Sequence, residues 1–163
     1  MFVLARAATY ATLFVGLFLV FVPARILARS GILPPAQLGP VECAGMLLGL
    51  GGAALVTWCI AAFGTIGRGT PAPFDPPRTL VVRGPYRYVR NPMYIGAALA
   101  LVGAAVFYRS LPLLGYAGGF LLAMHAFVVS YEEPTLTRLF GFDYQSYCAR
   151  VGRWLPRRDE PSR

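Results

Sequence analysis

The sequence predicts an all-α polytopic membrane protein with four transmembrane helices followed by short amphipathic C-terminal helices. Three observations carry that prediction. Of 163 residues, 56% are hydrophobic and 13% charged, against roughly 25% charged in an ordinary soluble domain. Four uncharged segments stand out, and a bilayer core about 30 Å thick takes roughly 20 apolar residues at 1.5 Å each. All fifteen basic residues are arginine, leaving a net charge of +8, and they gather between and after the apolar segments. An ordinary water-soluble globule is excluded, and residues 1–163 read as a single domain with no room for a separate soluble catalytic unit.

The first helix is expected over about 7–28. Its uncharged core follows Arg6 and so looks like a secretory signal, but 18 apolar residues from Ala7 to Ala24 exceed the roughly 7–15 of a signal core. A retained span is the better reading. The second helix is expected over 41–63, the third over 92–108 and the fourth over 111–131. Only Arg109 and Ser110 separate the last two, which forces a tight antiparallel hairpin. Small residues recur in these spans: Gly45, Gly49, Gly51 and Gly52 in the second, Gly96 and Gly103 in the third, Gly115, Gly118 and Gly119 in the fourth. They let helix backbones approach where lipid gives no hydrophobic drive; room for a ligand is the second reading.

The loop 64–91 differs in kind. It holds Pro71, Pro73, Pro76, Pro77 and Pro85 among arginines, and only Leu80, Val81 and Val82 resemble a strand, so it should be irregular but stiff. In the segment 132–163, Pro134 suits a first helical turn, Gly141 breaks, and Asp143 suits a second cap. Tyr144, Tyr147, Cys148 and Val151 then share a face, with Trp154 beyond, which reads as an amphipathic segment lying on headgroups.

With four spans, the N-terminus, the 64–91 loop and the tail share one side and carry twelve arginines, against Arg25, Arg29 and Arg109 on the other. The arginine-rich side stays cytoplasmic, so the expectation is an inner-membrane protein with both termini in the cytoplasm. The same arginines adjoin spans in three separate segments, so anionic headgroups explain them better than nucleic acid does. Cys43, Cys59 and Cys148 lack metal or disulfide spacing, and the single His125 cannot build a multi-histidine site. No metal is expected.

Polar residues converge where Arg83, Arg87 and Arg90 precede the third span and Glu132 and Glu133 end the fourth. A charge at the bilayer centre costs about 2.5–3.5 kcal/mol on insertion scales; acids at the membrane edge are cheaper but still uncommon. His125 lies seven residues before Glu132 and should point along nearly the same helix face, two turns deeper. These residues could form a clamp between acids and loop arginines, or a binding site. Gly67-Arg68-Gly69 lacks a third glycine and a preceding strand, so it is not a dinucleotide fingerprint.

The run Gly84-Pro85-Tyr86-Arg87-Tyr88-Val89-Arg90-Asn91-Pro92-Met93-Tyr94, the hairpin, Glu132-Glu133-Pro134, Phe140-Gly141 with Tyr144 and Tyr147, and Arg153-Trp154-Leu155-Pro156 together resemble the isoprenylcysteine carboxyl methyltransferase family and its phospholipid N-methyltransferase relatives. The resemblance covers about residues 64–157. It implies S-adenosylmethionine as methyl donor, held on the cytoplasmic side by loop, last two spans and tail. Arg90, Asn91 and Tyr94 match the family's R-H-P-x-Y element, with Asn91 where the histidine is usual; asparagine keeps a hydrogen-bond donor but cannot act as a base. Glu132 and Glu133 match the paired acids, and Gly67 and Gly69 resemble the G-x-G of the phospholipid enzymes.

A donor bearing an ammonium, a sulfonium and a carboxylate suits a boundary that offers both acids and arginine. Tyr86, Tyr88 and Tyr94 are candidate aromatic faces for it. Catalytic candidates are Glu132, His125 and Arg90. The acceptor is expected to be a lipid or lipophilic small molecule entering from the bilayer, with oxygen, nitrogen and sulfur all open as the methylated atom. A non-catalytic membrane scaffold of the same fold and a small four-helix transporter are the alternatives.

Overall fold

The computed structural model describes residue 9, residues 12–67 and residues 79–157. Among them the chain is helical, with no strand and a lone parallel bridge between Val89 and Gly152. Helix α1 spans Thr12–Arg29, with Val15–Phe21 wound as π-helix. Helix α2 covers Pro40–Ala62 and ends in a π turn, Phe63–Gly67. A 3₁₀ turn at Gly84–Arg87 leads into α3, Pro92–Phe107, then α4, Leu111–Phe127, a π segment at Val128–Glu132, and α5, Glu133–Arg150.

Three helical stretches are long and apolar enough to cross a membrane: Thr12–Arg29, Pro40–Gly67 and Leu111–Arg150. This differs from the expected count of four. Helix α3 is apolar but has only 16 residues, a rise of about 24 Å, short of a bilayer core. Its place in the bundle explains the tolerance, because Ala97, Ala98, Leu101 and Ala105 are buried and neighbouring helices shield it.

The most extensive interface joins α2 to α3 rather than the two arms of the hairpin. Glycine makes it possible. A Cβ built on Gly45 would stand 2.5 Å from the Phe107 nitrogen, and one on Gly52 would stand 2.5 Å from both the Ala100 nitrogen and the Gly96 oxygen. Those neighbours are backbone and cannot step aside. Gly115, Gly118 and Gly119 of α4, by contrast, have nothing within 4 Å, as does Gly51 of α2, so close packing accounts for Gly45, Gly52, Gly96 and Gly103 and not for these.

Arg109 and Ser110 form the expected tight hairpin. Arg109 adopts a left-handed conformation (φ 48°), and the Ser110 hydroxyl caps α4 by accepting from the Leu113 N–H at 3.2 Å. On the other side of α3, Phe14 and Phe18 of α1 meet Phe120 with ring centroids 6.1 and 6.2 Å apart, and the Tyr116 hydroxyl donates to the Phe18 carbonyl. Val56, Ala97, Leu101, Ala117 and Phe120 form the core these helices share.

Helix α5 is broken at Gly141, whose φ of 51° and ψ of −120° lie outside the helical region, a conformation open to glycine. The tyrosine face beyond it does not lie on headgroups as expected. Tyr144 and Tyr147 are buried, and the Tyr147 hydroxyl donates to the Tyr86 carbonyl at 2.5 Å. A tyrosine pair at helical spacing satisfies a membrane interface or a protein surface equally well, and here the 84–91 turn supplies the surface. The Leu80–Val82 run forms no strand; Val81 packs instead against Cys59, Ala62 and Tyr86.

Candidate functional site

The site forms where α2 and α4 both loosen into π-helix at the same end of the bundle. Phe63 from the first π segment, Val128 and Glu132 from the second, and the turn residues Tyr86, Arg90 and Asn91 surround a cavity. A smaller cavity shares five of these walls and adds Met93 and Tyr94. Single π turns inside α-helices occur frequently at functional sites. Here the π winding also changes which way side chains face: one residue added to a turn rotates the succeeding residues by about 100°.

That rotation separates His125 from Glu132. Seven residues of uninterrupted α-helix would have stacked them, but His125 is exposed and lines neither cavity. Its Nδ1 accepts from the Trp154 indole N–H at 3.0 Å. His125 therefore anchors the tail to α4.

The two adjacent acids have different surroundings. Glu133 is held by cations: Arg153 donates through Nε at 2.7 Å and Nη2 at 2.8 Å, and Arg90 Nη1 lies 3.0 Å away. Glu132 has only the Tyr94 hydroxyl, donating at 3.0 Å, as its partner among the described residues. The clamp reading thus fits Glu133, while Glu132 lines both cavities.

Arg90 links the two acids' surroundings. Its side chain is 13% exposed, and its Nη1 reaches both Glu133 and the Cys148 sulfur at 2.7 Å. Its Nε–H is buried without a hydrogen-bond partner, and leaving such a donor unpaired typically costs about 1–3 kcal/mol or more. Asn91 is buried beside it; its Nδ2 donates to the Arg153 carbonyl at 3.2 Å while the Arg90 N–H donates to the Gly152 carbonyl at 2.8 Å. The tail is thereby stitched across the turn by backbone as well as side chains.

The tyrosines divide as well. Tyr86 is buried, and burial pushes its phenol well above its ordinary range, with Cys59, Glu132 and Tyr94 adding to the effect. It stays a neutral donor. Tyr88 is exposed, bonded by its neighbour Arg87, and outside both cavities. Gly67 ends the π turn of α2, buried, with its carbonyl accepting from the Thr79 N–H at 3.4 Å. Gly69 lies outside the described residues. Among the described residues, no cluster of metal-ligating side chains occurs.

Sequence reasoning missed Phe63, Val128, Tyr144, Tyr147 and Arg153 as parts of this region. Tyr144 and Tyr147 carried a signal, their helical spacing, and Arg153 carried one in its place within the tail motif. Phe63 and Val128 carried none, being apolar residues among many.

A family model for phospholipid methyltransferases matches residues 41–143. The chain belongs to that family. The match spans α2, the turn, α3, α4 and the first part of α5, so both π segments and every cavity residue up to Leu136 fall within it, while α1 and the Arg153 clamp fall outside. No curated protein and no solved structure matches the chain. Membership makes the protein an integral membrane methyltransferase of a lipid-directed family. The family that matches is the phospholipid branch; the isoprenylcysteine branch rests on motif resemblance alone.

Proposed function

We propose that the protein transfers a methyl group from S-adenosylmethionine to a lipophilic acceptor dissolved in the membrane. The observation that carries this reading is the pairing, in one cavity at the end of the spans, of a half-buried carboxylate without a cation, Glu132, and a buried arginine N–H without an acceptor, that of Arg90. The donor's amino-acid end offers one cation and one anion, the complements of these two groups. When bound, S-adenosylmethionine supplies an electrophilic methyl on a sulfonium.

The chain's own groups do the remaining work. Arg90 and Glu132 hold the amino-acid end, Tyr86 and Tyr94 line the cavity with aromatic faces, and Glu133 holds Arg90 in place. In-line displacement depends on alignment and on exclusion of water more than on a dedicated acid or base. The tail strap from Gly152 to Trp154 covers the turn and supports that exclusion. A carboxylate acceptor loses no proton; an amine or thiol does, and Glu132 is the available group. Asn91 takes the histidine's place as a hydrogen-bonding strut for the tail. Gly67 and Gly69, which resemble the G-x-G of the phospholipid enzymes, belong to the same proposed donor-binding set.

The topology belongs to the same reading: one domain over residues 1–163, four passes with α3 as a short, shielded one, and both termini cytoplasmic on the arginine asymmetry. The cofactor then arrives from the cytoplasm and the acceptor from the bilayer. Calorimetry with S-adenosylmethionine on folded Glu132→Gln and Arg90→Ala variants tests it, alongside methyl transfer from radiolabelled donor to lipid amines, carboxylates and thiols in vesicles. Each variant should lose roughly 10- to 150-fold in affinity, the worth of a charged hydrogen bond. Unchanged affinity in both would put the donor elsewhere, and labelling of soluble acceptors alone would defeat the lipid part.

A further inference from the structure

At the end of the bundle remote from Glu132, α2 and α4 begin and α3 ends. A groove of about 590 Å³ opens there, walled by Val41, Ala105, Val106, Leu111 and Leu114, with Arg109 and Ser110 as its polar lining. The wall is apolar, and the charge is confined to one place.

Arg109 is built into that place. It sits in the two-residue hairpin with a left-handed backbone, a conformation that costs a non-glycine residue energy. Its Nε donates to Glu42 Oε1 at 2.7 Å, yet its side chain remains 67% exposed. Glu42 is buried, and its other oxygen accepts from the Gly39 N–H at 3.0 Å, so its capacity is taken up by the start of α2. The Nη groups of Arg109 have no partner among the described residues. The positive ends of α2 and α4 flank the groove and add to the attraction for an anion.

We propose that this groove is a site for one glycerophospholipid of the leaflet opposite the Glu132 cluster, its phosphate on the Arg109 guanidinium and an acyl chain along Val106, Leu111 and Leu114. The chemistry favours this occupant over a peptide or a second copy. Guanidinium binds phosphate through paired N–H bonds, and an apolar wall beginning at a membrane boundary continues into acyl chains. Glu42 fixes Arg109 through Nε and leaves its outer edge for the lipid. The inference rests on the membrane position of α2 and α4, not on the methyl-transfer reading.

Native mass spectrometry of the full chain, titrated with dioleoylphosphatidylglycerol, tests the site. Arg109→Gln combined with Glu42→Gln removes the charge pair without stranding a buried carboxylate, and should weaken binding roughly 10- to 150-fold. Glu42→Gln alone keeps the helix-capping geometry and frees the arginine, so binding should equal or exceed that of the unaltered chain. A purely structural role for the pair would make both variants lose binding alike, which would overturn the proposal. Dioleoylglycerol, lacking phosphate, and glycerol phosphate, lacking acyl chains, should each fail to displace the lipid; displacement by either at equal potency would overturn it. So would a lipid-independent dimer that the double variant abolishes, since a second copy would then own the groove.

Discussion

Arg153 grips Glu133 through two bonds of 2.7 and 2.8 Å, one to each carboxylate oxygen, joining the C-terminal strap to the residue where α4 becomes α5. The hydrogen bonds to Glu133 keep the guanidinium above its already high ordinary pKa, against a smaller opposing effect of burial. The pair is a fixed charge contact rather than a titrating one.

Arg153→Gln should therefore loosen the strap. With Arg153 33% exposed, solvent discounts the contact to about 1–2 kcal/mol of stability. Limited proteolysis at Arg150 and Arg157 should quicken several-fold in the folded variant. Cleavage at the original rate would mean that Asn91 and the Gly152 backbone hold the strap without it.

Glu132→Gln and Glu133→Gln should produce opposite signatures although the residues are adjacent. The first removes a half-buried charge that has only a tyrosine hydroxyl as partner among the described residues, so thermal stability should hold or rise while donor binding falls. The second strands Arg90 and Arg153 and should lower stability by about 1–3 kcal/mol. Thermal unfolding of both proteins beside calorimetry decides it; equal stability losses would remove the division of labour between the two acids.

This division was not legible in the sequence, and the reason is physical. The apolar runs, the two-residue hairpin, the break at Gly141 and the convergence of Arg90 with the paired acids follow from composition and spacing, and the helices honour them. The facing of His125 does not, because seven residues predict a shared face only if the helix stays α, and the π segment at Val128–Glu132 rotates them apart. The length of α3 and the docking of Tyr144 and Tyr147 depend on which neighbour covers them, a property of the assembled bundle and not of local pattern.

His125 and Trp154 should behave as one unit. With Nδ1 accepting from the indole, either His125→Ala or Trp154→Phe removes the same neutral hydrogen bond, worth about 0.5–1.5 kcal/mol. The double variant should lose no more than the single ones, a coupling that a double-mutant cycle reads directly. Additive losses would assign His125 a separate task.

The glycines of the α2–α3 interface should separate sharply from those of α4. Gly52→Ala drives a methyl into backbone that cannot yield and should cost at least the roughly 1–3 kcal/mol of an overpacked core. Gly118→Ala meets open space and gains helix propensity of up to about 1 kcal/mol. Thermal unfolding in one detergent compares them; equal losses would mean that α4 packs against a partner through that face.

The three cysteines provide a topology test without engineering. Cys43 is exposed in the first turn of α2, at the end of the bundle that carries Arg109, whereas Cys148 lies near the Arg90 cluster and Cys59 is buried in α2. If both termini are cytoplasmic, a membrane-impermeant maleimide added to intact cells should reach Cys43 alone. Cys148 should react only in inverted vesicles, and more slowly, because Arg90 contacts its sulfur and the helix partly covers it. Cys59 should stay unmodified until the protein unfolds. Labelling of Cys148 in intact cells would turn the molecule over, place the Glu132 cavity outside, and remove the cytoplasmic supply of donor on which the methyl-transfer reading depends.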